Sequence, residues 1–113
     1  MSDGIRHRIE RVEAKPGLRL LVAWRTGEQT IVDFSNDINR GGIWAALADE
    51  RLFAQARAVR NGTALEWPEP RGQDGSPRID IDADGLYAMA MQQRERPWIG
   101  RVLHTIFDRR KTA

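Results

Sequence analysis

A chain of 113 residues, 41% apolar and 30% charged with a formal net charge of +2, is one domain's worth, able to bury about 60% of its unfolded surface without a metal or a staple. It has no cysteine, which excludes disulfides, thiol catalysis, iron–sulfur clusters and cysteine-ligated zinc and makes a reducing compartment the expected home. No apolar run opens the chain as a signal segment would, and none reaches the roughly 20 apolar residues of a membrane span, so a soluble, cytoplasmic protein is expected.

Residues 5–14 are polar, with Ile5, Ile9 and Val12 as apolar points. That irregular spacing predicts a strand with a bulge or an edge position. Pro16-Gly17 fits the two central positions of a type II turn. Leu18, Leu20, Val22 and Trp24 then alternate with Arg19, Leu21, Ala23 and Arg25, the period of a core strand. Thr26-Gly27 turns it back into residues 29–34. Arg25 is expected opposite Glu28 and Val22 opposite Ile31, which makes an antiparallel meander of three strands.

Ser35 is a candidate helix N-cap before a short turn at 36–40 that ends at Gly41-Gly42. A second short helical piece at 43–48 places Trp44 and Leu47 or Ala48 inward, and Asp49 can cap a turn through Leu52 and Phe53. Asn61-Gly62 follows, the dipeptide that best tolerates the positive φ angles of a two-residue type I′ turn. With these two residues as the loop, Val59 faces Ala64, Ala58 faces Leu65, Arg57 faces Glu66 and Ala56 faces Trp67. One face of this hairpin is then apolar, while the other carries the opposed charges Arg57 and Glu66. Pro68, Pro70, Gly72, Gly75 and Pro77 mark an irregular surface loop.

Asp82 is a plausible N-cap for a helix from Ala83 to about Gln93, with Ile81 and Leu86 as its hydrophobic staple. Pro97 sits at the first position of a last helix over 97–110. There Ile99, Val102, Leu103, Ile106 and Phe107 recur at i, i+3, i+4, i+7 and i+8, the spacing of one apolar stripe. Residues 94–113 carry Arg94, Arg96, Arg101, Arg109, Arg110 and Lys111 against Glu95 and Asp108, a charge of +4, while the remaining 93 residues, with 12 basic and 14 acidic side chains, carry −2. The basic character belongs to the tail. The expected architecture is a single α+β domain over 1–113: an antiparallel meander plus a second β-hairpin, short crossover helices and two C-terminal helices. Its core lies at 5–93 and its helical extension at 97–110.

Several of these segments resemble a known family. An opening Arg-x-Ile strand, Leu-x-Val-x-Trp with a Thr-Gly turn, Val-Asp-Phe-Ser, Leu-Ala-Asp-x-x-Leu-Phe, Asn-Gly-x-Ala-Leu-Glu-Trp-Pro and Asp-Ile-Asp-Ala-Asp-Gly-Leu-Tyr look like the small bacterial domain-of-unknown-function family 2442, over roughly residues 5–90. The resemblance implies a small α+β domain, sometimes fused to a helix-turn-helix module and suspected in small regulatory or toxin–antitoxin gene pairs. It implies no established activity and supplies no catalytic residues. The long Pro/Gly loop at 68–78 and the helix beyond Arg96 depart from the family pattern.

Candidate chemistry is sparse. Asp80, Asp82, Asp84 and Gly85 match the first half of a calcium loop, but its twelfth position is Met91, where a bidentate Glu is needed, and helix capping explains the same residues. His7 and His104 are the two imidazoles, and neither has a Ser, Asp or Glu at motif spacing. Gly41-Gly42 lacks the Lys-Ser/Thr of a phosphate loop. Of the four tryptophans, Trp24 and Trp67 fall on apolar strand faces and read as core; Trp98 opens the basic helix and is the aromatic expected to meet a partner.

These residues nominate no catalytic group, cofactor or metal. The expected function is a non-catalytic regulatory or protein-interaction domain binding another protein or itself. Its candidate surface is Trp98, Ile99, Arg101, Val102, Ile106, Phe107, Arg109 and Arg110. The alternative is a nucleic-acid-binding accessory protein. The helices at about 83–93 and 98–110 are like half of a helix-turn-helix, without its third helix or a recognisable turn.

Overall fold

The computed structural model describes residues 6–95, and the expected helix at 97–110 lies outside them. The architecture is α+β. Strands β1 (Ile9–Lys15), β2 (Arg19–Trp24) and β3 (Gln29–Asp33) form one antiparallel sheet in the order β1-β2-β3. Strands β4 (Arg57–Val59), β5 (Ala64–Arg71) and β6 (Pro77–Asp82) form a second in the order β4-β5-β6. Between them run helix α1 (Ser35–Asn39), a 3-10 helix (Gly42–Ala48) and helix α2 (Glu50–Phe53); α3 (Ala83–Glu95) follows β6. Among the described residues no helix is long and apolar enough to cross a membrane.

The expected bulge is present: the β1–β2 register shifts between Ile9 and Arg11. The chain returns through Pro16, Gly17 and Leu18, the last two at φ +84° and +60°. The next hairpin corrects the expected register. Trp24 N–H donates to the Glu28 carbonyl and Gly27 N–H to the Trp24 carbonyl, both at 2.9 Å, with Gly27 at φ +98°. The loop therefore holds three residues, Arg25 to Gly27, closed by a left-handed glycine. Val22 accordingly faces Thr30, and Leu21 faces Ile31. Since neighbouring residues point to opposite faces, Thr30 and Val32 are buried with Leu20, Val22 and Trp24, whereas Ile31 stays 45% exposed.

Ser35 is not the N-cap. It is the first residue of α1, and Asp33 Oδ1 accepts its backbone N–H at 2.8 Å, a turn that the carboxylate two residues upstream closes more readily than a hydroxyl. Asp49 does cap α2, accepting from Arg51 N–H at 2.9 Å. Of the residues expected inward on the 3-10 helix, Leu47 is buried, Trp44 is half-buried against the core and Ala48 is exposed.

The Asn61-Gly62 hairpin has the expected register, with Arg57 opposite Glu66, Ala58 opposite Leu65 and Val59 opposite Ala64. Asn61 and Gly62 take φ +59° and +79°, and Arg60 joins them at +50°. Leu65 and Trp67 are fully buried, while Arg57 Nη2 lies 2.7 Å from Glu66 Oε2 on the other face. The second sheet is larger than a hairpin. Residues 68–71 continue β5, and Pro77–Asp82 pair back onto it, Trp67 facing Ile79 and Leu65 facing Ile81. Prolines within a strand pattern argue against a strand; here Pro68 and Pro70 sit where the register is irregular, between Trp67 and Arg71, and the free-standing loop shrinks to a turn over residues 72–76.

One core joins both sheets and all the helices. Trp67 lies at its centre, its ring 5.4 Å from Phe34, 5.7 Å from Phe53 and 5.9 Å from Trp44. Its indole N–H donates to the Phe53 carbonyl at 2.9 Å, which supplies the partner a buried Trp requires. A backbone bond from Ile9 N–H to Gly62 O at 2.8 Å stitches the two sheets together, and Ala83 N–H donates to Thr63 O at 2.7 Å, carrying the β5–β6 ladder up to the start of α3.

Candidate functional site at the amino-terminal clasp

The titratable and aromatic side chains that converge most closely lie where the chain enters β1. Asp82 caps α3, accepting from Gly85 N–H at 3.4 Å, so Asp84 is placed in the first turn, where the helix dipole favours a carboxylate. Asp84 accepts the backbone N–H of Arg6 at 3.0 Å and that of His7 at 2.9 Å. His7 Nδ1 lies 2.8 Å from the same Oδ1, which fixes Nδ1 as the nitrogen that carries a proton. The Arg6 N–H above all, with His7 adding to it, holds the Asp84 carboxyl below the usual carboxylate range.

The imidazole is also gripped by rings. It stacks on Tyr87 with centroids 3.9 Å apart and planes 13° off parallel, and meets Trp24 edge-on at 5.9 Å. Tyr87 sits one turn beyond Ala83–Asp84 on α3, and its hydroxyl donates to Glu28 at 3.0 Å. That bond to an ionised acceptor pushes the phenol's pKa up. Arg94 Nη1 lies 3.8 Å from the other Glu28 oxygen. Trp24 completes the group from below, its N–H donating to the buried Thr30 hydroxyl at 3.0 Å.

The cluster can hold a charge and lock a strand. A His–Asp pair is also what orients a general base. Among the described residues, however, no hydroxyl or amine is hydrogen-bonded to the imidazole as a nucleophile would be, and its face is occupied by Tyr87. His7 shows no partner at motif spacing because its partner is 77 residues away, a separation at which no spacing rule operates. The adjacency of Asp84 and Tyr87 on one helix face was the readable half of the signal.

The carboxylates of the half calcium loop are each engaged separately. Asp80 pairs with Arg60 at 3.0 Å, Asp82 caps α3 and Asp84 closes the clasp. No group of three or more potential metal ligands forms among the described residues. A shallow, open concavity of about 500 Å³ lies beside β6, lined by Arg60, Thr63, Ala64, Asp80, Ile81 and Asp82. Its one described cation, the Arg60 guanidinium, is shared between Asp80 and Glu66. The candidate partner residues Trp98, Ile99, Arg101, Val102, Ile106, Phe107, Arg109 and Arg110, with His104, lie outside the described residues.

No curated protein matches the chain. Among solved structures it is similar to the crystal structure of "Putative DNA Binding Protein NE0471" from Nitrosomonas europaea ATCC 19718, with 26% identity and a TM-score of 0.61 over 83% of this chain and 55% of that one. The chain thus spans about half the length of that protein. The sequence profile of the family "Protein of unknown function (DUF2442)" matches residues 9–92, the stretch that holds every described strand and most of α3, so this chain belongs to the DUF2442 family.

Proposed function

We propose that this chain is a non-catalytic regulatory or protein-interaction domain that engages another protein, or a second copy of itself, through residues 98–110. The observation that carries this reading is where the core closes. Its buried apolar cluster runs from Ile9 to Ala90 and takes in both sheets and every described helix, and no buried side-chain nitrogen or oxygen among the described residues lacks a partner. That core is assembled from the described residues, and the sequence adds a further apolar stripe, Ile99, Val102, Leu103, Ile106 and Phe107, of the kind that supplies a contact site. Full-length protein used as bait should retain a stoichiometric partner, itself included, that bait truncated after Arg96 does not. Equal capture by both baits, or none by either, would overturn the reading.

A second reading, nucleic-acid binding, is favoured by the similarity to the Nitrosomonas europaea protein and by the six basic residues against two acidic ones at 94–113. Phosphate contacts make affinity fall steeply as salt rises. Duplex DNA titrated with full-length protein at two salt concentrations tests it: a steep loss with salt supports the reading, and no binding at the lower salt ends it.

A further inference from the structure

The outer face of the first sheet is charged around its rim and apolar at its centre. Leu21 and Ile31 stand directly cross-strand there, with Ala23 next along β2. Among the described residues Ile31 is the large apolar side chain left exposed, at 45%. This patch lies close to where α3 ends. The Gln93 carboxamide accepts from Asp33 N–H at 2.8 Å and donates to the Asp33 carbonyl at 2.9 Å, which pins the last turns of α3 to the open side of the edge strand β3. Asp33 is two residues, about 7 Å, along the strand from Ile31. Residue 99 follows Glu95, the last residue of α3, by four positions, a reach of up to about 14 Å. The apolar stripe therefore begins within tether length of the apolar patch.

We infer that the outer face of the β1–β2–β3 sheet is the seat of residues 97–110 of the same chain. Leu21, Ala23 and Ile31 meet the Ile99-to-Phe107 stripe, and the aliphatic stems of Arg11, Lys15 and Arg19 flank it. A helix of that length spans about 21 Å, close to the roughly 17 Å of a five-residue strand. The area argues for the same chain over a second copy. A stable interface between copies takes about 800 Å² from each partner, far more than two partly open side chains and an alanine supply. A short tether instead holds the segment at an effective concentration of order millimolar, and a small patch suffices. A partner that takes the stripe must then displace it from this seat; that consequence rests on the interaction reading above, whereas the seat itself does not.

The chain has no native cysteine, so introduced pairs report without background. Full-length protein carrying Gln29→Cys and His104→Cys, treated with a short bismaleimide, is expected to give an intramolecular cross-link. Yield should be about tenfold above that of a control pair, Arg78→Cys with His104→Cys, on the second sheet. Adding Ile31→Asp, a change at an exposed site that leaves the core intact, should reduce the yield toward the control. No cross-link, equal yield in the control pair, or a yield indifferent to Ile31→Asp would overturn the inference. A predominantly intermolecular product would overturn it too, by giving the seat to a second copy. Light scattering on the same samples reports self-association separately, so failure of the seat and failure of the partner reading are told apart.

Discussion

At Gly62 the backbone takes φ +79°, and a Cβ there would stand 2.5 Å from the carbonyl oxygen of Ile9 and 3.1 Å from its nitrogen. The glycine is thus required twice, once by its own conformation and once by the strand that bonds to its carbonyl. Gly62→Ala should cost about 2 kcal/mol or more, from left-handed strain plus the displaced bond, read as a lower denaturant midpoint with an unchanged slope. Asp84 makes a prediction in pH. Its folded-state pKa is depressed, so the unfolded chain binds the proton more readily. The clasp's contribution is present at neutral pH and is lost as pH falls through and below the ordinary carboxylate range. Asp84→Asn should therefore lower stability at pH 7 and flatten the acid limb of the stability profile, measured as melting temperature against pH. An acid limb identical to the parent's would show that another group sets it. These residues also mark how far sequence reading reaches: Gly62 was legible because Asn-Gly fixes a turn, whereas the Ile9 contact and the His7–Asp84 bond join positions more than 50 apart and left no local trace.

The elements show which patterns carry a register and which leave it open. The Asn61-Gly62 hairpin was readable because its turn chemistry and its alternation agree, and Arg57 meets Glu66 as that agreement requires. At Thr26-Gly27 the glycine is the closing residue of a three-residue loop, and the two candidate loop lengths differ by one residue. A threonine and an isoleucine exchange faces with that difference. Thr30 is buried and accepts the Trp24 indole N–H at 3.0 Å, and its hydroxyl reads as surface until that donor is known. In the chain truncated after Arg96, Thr30→Val should cost about 1–3 kcal/mol by orphaning the indole N–H, whereas Ile31→Thr, one residue on and with no stripe to cover it, should stay within about 0.5 kcal/mol. Urea melts of the two variants check this, and a reversed ranking would reinstate the other register. Strand β6 was obscured by the prolines at 68 and 70, which suit an irregular stretch and mask the strand that resumes beyond it.

At the scale of the molecule, the apolar content of the described residues closes into one core within residues 9–90, and the sequence places the basic excess at 94–113. Truncation after Arg96 tests how the two parts relate. Docking of the stripe on the first sheet predicts a melting temperature lower by a few degrees, since even two side chains covered at about 1.5–3 kcal/mol each are partly offset by ordering the segment. Unchanged melting with unchanged oligomeric state would show that the stripe does neither job. The α+β class was legible from alternation and turns together.

The clasp also sets an order of events during synthesis. Residues 6 and 7 leave the ribosome well before their partner, Asp84, which emerges 78 and 77 positions after them. The first meander can pair early, since its turns are local, but its leading end must wait with an uncovered imidazole and two unanswered amides until α3 arrives. A nascent chain halted before Asp84 would hold a sheet with a loose end, cleavable ahead of Ile9 where the finished protein resists.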